Sequence, residues 1–192
     1  MNLPNKLTLS RLLAVVVIAC LYFIFSNVTW NLYTILGLFI LASFTDFLDG
    51  KIARKYDMVT GFGKLMDPLA DKMLVVSAII VLMDLGIIKY PWLLIIVLFR
   101  EFFVLGIRLV ALEENGECIA ARLLGKLKTL TQMVSLVLLL FYSALITTVE
   151  PNTFTNIFYY FSIVLFYVSM VLLVVSGIEV FVKNKKIFKL KW

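Results

Sequence analysis

Two pairs of aspartates stand close together in a chain that is otherwise strongly apolar. Asp46 and Asp49 form the first pair, and Asp67 and Asp71 form the second. Residues three or four apart share one face of a helix, so each pair would present both carboxylates on the same side. The chain has no histidine, and all-oxygen ligation favours Mg²⁺ or Mn²⁺ over zinc. We interpret the four acids as ligands of a two-metal centre, which suits phosphoryl transfer.

Small residues accompany the acids on the same helical faces. Gly50 and Ala53 follow Asp46 by four and seven residues, and Gly63 precedes Asp67 by four. Such residues could be close contacts between membrane helices. Their presence on both acid-bearing faces favours a second interpretation, in which a bulky anionic ligand approaches the backbone there.

The composition indicates an integral membrane protein with a single domain over residues 1–192. The hydrophobic fraction is 62% and the charged fraction is 16%, against about 25% charged residues in soluble domains. Apolar stretches near the ~20 residues needed to cross a bilayer predict an all-α fold with six transmembrane helices, at residues 8–25, 32–50, 67–87, 91–110, 126–147 and 157–182.

Basic residues alternate between successive connections of these helices. They are abundant in residues 1–11, in the second and fourth connections and in the tail, but sparse in the others. The positive-inside rule then places both termini in the cytoplasm. Residues 1–11 mix apolar and polar positions, which predicts an interfacial segment. The four acids would lie at the cytoplasmic end of the second and third helices. The net charge of +6 is explained by these basic connections, so we expect no nucleic-acid partner.

The fourth apolar stretch contains a second group of charges. Arg100 lies nine residues after Pro91 and is followed by Glu101 and Arg108, while Lys126 begins the fifth stretch. One interpretation is an internal Arg100–Glu101 pair that holds helices together. The other is a cationic pocket for a phosphorylated substrate, because guanidinium groups match phosphate oxygens.

The string Asp46-x2-Asp49-Gly50-x2-Ala53-Arg54-x8-Gly63-x3-Asp67-x3-Asp71 resembles the signature of the CDP-alcohol phosphotransferases at all eight fixed positions. This resemblance implies six transmembrane helices, a homodimer and two divalent cations, Mg²⁺ or Mn²⁺. It further implies that Asp46 and Asp67 bridge the cations, that Asp49 and Asp71 complete one each, and that Asp71 is also the catalytic base.

The resemblance also implies the residues that bind the two substrates. Those that would contact or make space for the CDP moiety are Asn5, Thr8, Gly50, Ala53, Arg54, Thr60 and Gly63. Those that would hold the phosphate of the acceptor are Arg100, Arg108 and Lys126.

Segments outside the signature are similar to those of bacterial family members that use glycerol 3-phosphate. They are Pro4-Asn5-x-Leu7-Thr8-x2-Arg11, Arg100-Glu101-Phe102, Gly106-x-Arg108-Leu109 and Gly125-Lys126-x-Lys128-Thr129. The function that this implies is transfer of the phosphatidyl group of CDP-diacylglycerol to glycerol 3-phosphate, with release of CMP. The enzyme would be a multi-pass protein of the bacterial cell membrane, in contact with its lipids, with the active site facing the cytoplasm.

Two alternatives stay open at this point. The first is the same chemistry with another acceptor, such as inositol phosphate or phosphatidylglycerol. The second is a divalent-cation transporter, since aspartate clusters within membranes also line ion pathways. A transporter would need acids near the middle of the membrane, whereas these lie towards one interface.

Overall fold

Six α-helices make up the computed structural model, which describes residues 3–25, 28, 30–55, 61–115 and 123–183. Within these ranges it does not describe the side chains of residues 3–7, 46–55, 61–65, 67, 108 and 111–115. The helices are α1 Leu3–Ile24, α2 Asn31–Lys55, α3 Gly61–Asp84, α4 Trp92–Asn115, α5 Leu123–Leu145 and α6 Thr153–Lys183. The prediction of an all-α chain is confirmed for this part of the sequence, and each predicted apolar stretch overlaps one helix.

Two of the described helices, α5 and α6, are long and apolar enough to cross a membrane by length and composition. Shorter apolar helical segments cover Thr8–Ile24 and Asn31–Thr45. These features support a membrane protein. The count of six spans and the cytoplasmic position of both termini stay predictions.

The predicted interfacial segment is not a separate element, because α1 is continuous from Leu3 to Ile24. Pro4 stands in its first turn, where the missing N–H group breaks no helical hydrogen bond. No other proline and no glycine occurs before the end of the helix. Thr8 and Arg11, which the pattern placed at an interface, are 1% and 2% exposed. The polar residues of this segment that the structure describes therefore include two that face the helix bundle.

Helix α3 starts at Gly61, six residues before the predicted start, so that Pro68 falls inside it. A proline at this position removes one hydrogen bond to the carbonyl of the preceding turn. The second pair of acids consequently lies within the helix, at its seventh and eleventh residues.

Helices α5 and α6 form the most extensive helix pair in the described bundle. Hydroxyl residues recur every seven positions along α6, all of them at most 2% exposed: Thr155, Ser162, Ser169 and Ser176. Each hydroxyl donates to a carbonyl three or four residues earlier in the chain. These small side chains allow two helices to approach closely while leaving their own polar groups satisfied.

Local hydrogen bonds and turn conformations stabilise the helix ends that lie opposite the acids. The Tyr22 hydroxyl donates to the Asp84 carboxylate at 2.6 Å, which joins α1 to α3. Gly86 adopts a φ of 70°, the left-handed conformation that commonly follows a helix. Asn152 and Thr155 exchange side chain–backbone hydrogen bonds at the start of α6 in the manner of a capping box. These contacts fix the scaffold that positions the acids at the other end.

Candidate active site

The backbone carries both acid pairs on neighbouring helices that pack against each other. Asp46 and Asp49 lie in the second half of α2, and Asp67 and Asp71 lie in the first half of α3. The helical spacing assumed from the sequence is therefore present in the chain. Of the four acids, Asp71 is the one whose side chain the structure describes.

For most of the residues predicted to bind the nucleotide, the structure describes the backbone but not the side chain. Gly50, Ala53 and Arg54 belong to α2, Gly63 to α3 and Asn5 to α1, and Thr60 lies outside the described residues. Thr8 is the exception, because its side chain is described and is buried in α1. Their assignment to the CDP moiety stays a prediction.

Asp71 lines a cavity of about 450 Å³ between α1, α3, α4 and α5. The charged side chains of Lys72, Glu101 and Lys128 line the same cavity. Most of its remaining lining is apolar. One part of the cavity wall is thus charged, next to the predicted catalytic acid, and the rest of the wall is apolar.

Glu101 is the centre of a charge cluster on this cavity, and it is only 6% exposed. Its carboxylate accepts from Lys72 at 2.6 Å, from Arg100 at 2.9 Å, and from Lys128. One carboxylate therefore faces three cations, of which Lys72 and Lys128 line the cavity and Arg100 lines a separate groove. The ammonium groups of Lys72 and Lys128 can donate to phosphate oxygens, which suits a phosphorylated ligand.

Arg100 has protein partners for several of its donors. Besides Glu101, it donates through Nε to the Leu173 carbonyl at 3.1 Å and through Nη2 to the Ser176 hydroxyl at 2.7 Å. Gly177 provides the space, because a methyl group placed on it would lie 3.0 Å from Cγ of Arg100. The contacts match the interpretation of an internal pair that holds helices together. The role of Arg100 in binding the acceptor stays a prediction.

The other two basic residues of the predicted acceptor site lie at other positions on α4 and α5. Lys126 is exposed near the start of α5, and Arg108 belongs to α4 with a side chain outside the description. Lys72 and Lys128 reach the cavity instead, and neither was among the predicted site residues. A signal was present in the sequence: both lysines lie in apolar helices, where a buried ammonium group needs a carboxylate. Glu101 was the acid available to both.

The donor chemistry of the predicted metal site fits hard divalent cations. Asp46, Asp49, Asp67 and Asp71 would provide only carboxylate oxygens, the ligands that Mg²⁺ and Mn²⁺ prefer. Among the residues with described side chains, no group of three acidic, histidine or cysteine residues could hold a metal. The metal site stays a prediction that rests on the two acid-bearing helices.

The fold and the acid-bearing helices define a class of membrane enzyme, and the comparison with known families identifies it. Residues 1–175 match the family described as CDP-alcohol phosphatidyltransferase. The chain belongs to this family, and the prediction made from the aspartate string is confirmed.

Relatives from distant organisms share the same description, CDP-diacylglycerol–glycerol-3-phosphate 3-phosphatidyltransferase. The protein from Bacillus subtilis is 39% identical over 154 residues, which cover 74% of this chain and 78% of that protein. The protein from Rickettsia typhi is 44% identical over 141 residues, or 72% of this chain and 76% of that protein. A protein from Arabidopsis thaliana is 36% identical over 151 residues, or 72% and 64%.

Proposed function

We propose that this protein transfers the phosphatidyl group of CDP-diacylglycerol to glycerol 3-phosphate, giving phosphatidylglycerol phosphate and CMP. The observation that carries the proposal is the shared description of relatives that are 39–44% identical over about three quarters of the chain. The geometry supports it, because Asp71 of the family signature lines the same cavity as Lys72 and Lys128, whose ammonium groups can donate to phosphate oxygens. Both substrates of this reaction are anionic.

Asp71 acts as the general base in this proposal. The acceptor hydroxyl attacks the phosphorus on the lipid side of the pyrophosphate, and its proton passes to the Asp71 carboxylate. The new bond joins the acceptor oxygen to phosphorus, and the bond between that phosphorus and the CMP oxygen breaks. A positioned general base contributes typically 10²–10⁴-fold to such a step.

Asp46, Asp49, Asp67 and Asp71 would hold two divalent cations, Mg²⁺ or Mn²⁺. Such cations, when bound, neutralise a pyrophosphate and stabilise the negative charge on its leaving oxygen. The chain itself contributes the rigid spacing of the four acids on two packed helices. The nucleotide would lie along the small residues of these helices, with Asn5 and Thr8 reaching it from α1.

The phosphate of the acceptor would be held by the cations on the cytoplasmic side of α4 and α5. Arg100, Arg108 and Lys126 are the predicted ligands. Lys72 and Lys128 add positive charge next to Asp71. These ammonium groups favour an acceptor that carries a phosphate over one that does not, such as serine.

We further propose six membrane spans with both termini in the cytoplasm, in a homodimer of the bacterial cell membrane. The loop charges support the topology, and the active site would then face the cytoplasm. Cysteine substitutions in alternate loops of a Cys20→Ser, Cys118→Ser background, probed with an impermeant thiol reagent on intact cells, test it. Labelling of any basic loop from outside would contradict the orientation.

An assay of the purified protein with a panel of labelled acceptors tests the function. CDP-diacylglycerol in mixed micelles is supplied with glycerol 3-phosphate, inositol phosphate, serine or phosphatidylglycerol, in Mg²⁺ or Mn²⁺. We expect CMP release and lipid labelling with glycerol 3-phosphate. Preferred labelling by another acceptor would overturn the acceptor assignment, and metal flux into vesicles without CMP release would revive the transporter.

An Asp71→Asn variant tests the role of the base. We expect transfer to fall about 10²-fold or more, with the melting temperature largely kept. Asp84→Asn is the matched control, since Asp84 lies at the opposite end of the same helix and bonds to Tyr22. Near-normal transfer by Asp71→Asn would show that the base is another group.

A further inference from the structure

One buried polar side chain on the cavity has no role in the charge cluster. Gln132 of α5 is 1% exposed and lines the cavity together with Asp71 and Lys128. Its amide nitrogen, Nε2, is buried and has no hydrogen-bond partner among the described residues. A buried donor without a partner is costly, and Gln132 also lines the cavity, so its position points to a ligand that supplies an acceptor.

The position of Gln132 indicates which part of a ligand it would meet. It follows Lys128 by four residues, which places it about 6 Å further along α5, away from the charged end. The walls around it are apolar and include Val15, Val75 and Val97. A strongly hydrated anionic group belongs at the charged end, so Gln132 faces a less polar part of the ligand.

The rim of the cavity indicates where the ligand comes from. Met73, Ile80 and Phe102 line it and are 50%, 42% and 53% exposed. They belong to α3 and α4, so an apolar opening lies between these two helices. From Asp71 to Ile80 the cavity follows nine residues of α3, about 13 Å at 1.5 Å per residue. An occupant of this shape has a polar end and an apolar chain, which describes a lipid.

We propose that Gln132 donates a hydrogen bond to an ester carbonyl of the lipid donor, and that the apolar part of this cavity holds the start of one acyl chain. The inference rests on the proposed function, since the lipid is taken to be CDP-diacylglycerol. In a diacylglycerol the ester carbonyls lie a few bonds from the phosphate. A phosphate beside Asp71 and Lys72 therefore places a carbonyl on the apolar side of the charges, where Gln132 offers its unpaired donor. Gln132 is a specificity residue in this proposal and takes no part in proton transfer.

The test compares an ester-linked with an ether-linked CDP lipid of equal chain length. The ether lipid lacks the carbonyl oxygen but keeps the rest of the molecule. We expect the wild type to show a KM for the ester lipid that is lower by roughly 2- to 12-fold, the range of one neutral hydrogen bond. Gln132→Met, which keeps a long unbranched side chain without the donor, should equalise the two lipids. The KM for glycerol 3-phosphate should not change.

The control for burial is Ser143→Ala. Ser143 is a buried polar residue of the same helix, its hydroxyl donates to the Leu140 carbonyl, and it does not line the cavity. This variant should keep the ester preference of the wild type. Gln132→Met should melt no lower than the wild type, because an apolar group replaces an unpaired donor. An equal ester preference in wild type and Gln132→Met would overturn the proposal, as would a change confined to the KM for glycerol 3-phosphate.

Lipid binding without turnover separates this inference from the proposed function. The rise in melting temperature of the wild type with ester lipid should exceed that with ether lipid, and Gln132→Met should abolish the difference. If this holds while no acceptor gives a product, the proposed function fails and the lipid site stands. If transfer occurs but the thermal shifts are equal for both lipids and both proteins, the function stands and the lipid site fails.

Discussion

Replacing Glu101 with glutamine tests the charge cluster most directly. The substitution keeps the size and shape of the side chain and removes its negative charge. Lys72, Arg100 and Lys128, whose side chains are 20%, 12% and 7% exposed, then lose their shared counter-charge. Three cations in a poorly solvated place repel each other, and the loss of their hydration destabilises the folded state.

The expected magnitude follows from this burial. Breaking a buried ion pair by removing one partner costs about 3–5 kcal/mol. For a chain of this length each kcal/mol corresponds to about 2–4 °C in Tm, so we expect Glu101→Gln to lower the Tm by about 6–20 °C. Adding Lys128→Met to this variant removes one uncompensated charge and should recover part of the loss.

Thermal unfolding of the detergent-solubilised protein, followed by circular dichroism, measures the effect. The matched control is Glu179→Gln, because Glu179 pairs with Lys183 at 2.6 Å on α6 and is more exposed than Glu101, with side-chain exposures of 21% and 8%. The exposed pair with Lys183 contributes only about 0.3–0.5 kcal/mol, so the loss in Tm should be smaller than for Glu101→Gln. Equal losses of Tm in both variants would refute the view that Glu101 is the buried counter-charge of three cations. A further decrease in Tm on addition of Lys128→Met would refute it as well.

Three further changes have expected outcomes. Gly177→Ala should lower the free energy of unfolding by about 1–3 kcal/mol and reduce the Tm, because its methyl group crowds Arg100, which is held by hydrogen bonds. Gly37→Ala, with open space around it, should raise the Tm slightly. Arg100→Lys should lower the Tm, because the lysine loses contacts with α6. If the KM for glycerol 3-phosphate also rises at least tenfold, Arg100 has a direct role in acceptor binding. If this KM is unchanged, the role of Arg100 is limited to holding helices together. Tyr22→Phe removes a hydrogen bond to the Asp84 carboxylate and should cost about 1.5–3 kcal/mol without changing either KM; an unaltered Tm would contradict that contact.

The sequence was sufficient for the helices and for the family. Apolar stretches near membrane length predicted six helices, and the aspartate string at fixed spacing predicted a CDP-alcohol phosphotransferase. Both predictions depend on local features, namely the hydrophobicity of a run and the distance between residues on one helix. The start of α3 was placed six residues too late because the prediction followed the apolar stretch, whereas the helix also includes the more polar residues from Gly61 onwards.

The partners of the charged residues could not be predicted in the same way. Glu101 meets Lys72 and Lys128 from two other helices, and Gln132 faces a cavity formed by four. Such contacts depend on how each helix is rotated about its axis, which the spacing of residues within one helix does not fix. Sequence alone therefore left two interpretations of Arg100 open, and the structure adds its contacts with α6.

The hydroxyl stripe of α6 has a consequence for the assembly of the protein in the membrane. Because these hydroxyls are satisfied within the helix, α6 can enter the bilayer without leaving them unpaired. Helices α2 and α3 carry the acids and are less apolar than α5 and α6. They pack against α1 and also against α5, which is synthesised later, so we expect the bundle around the acids to be complete only after the last hairpin, α5 and α6, has been inserted. Truncation before residue 123 should then leave the acid-bearing helices open to proteolysis in detergent, while the full chain resists it.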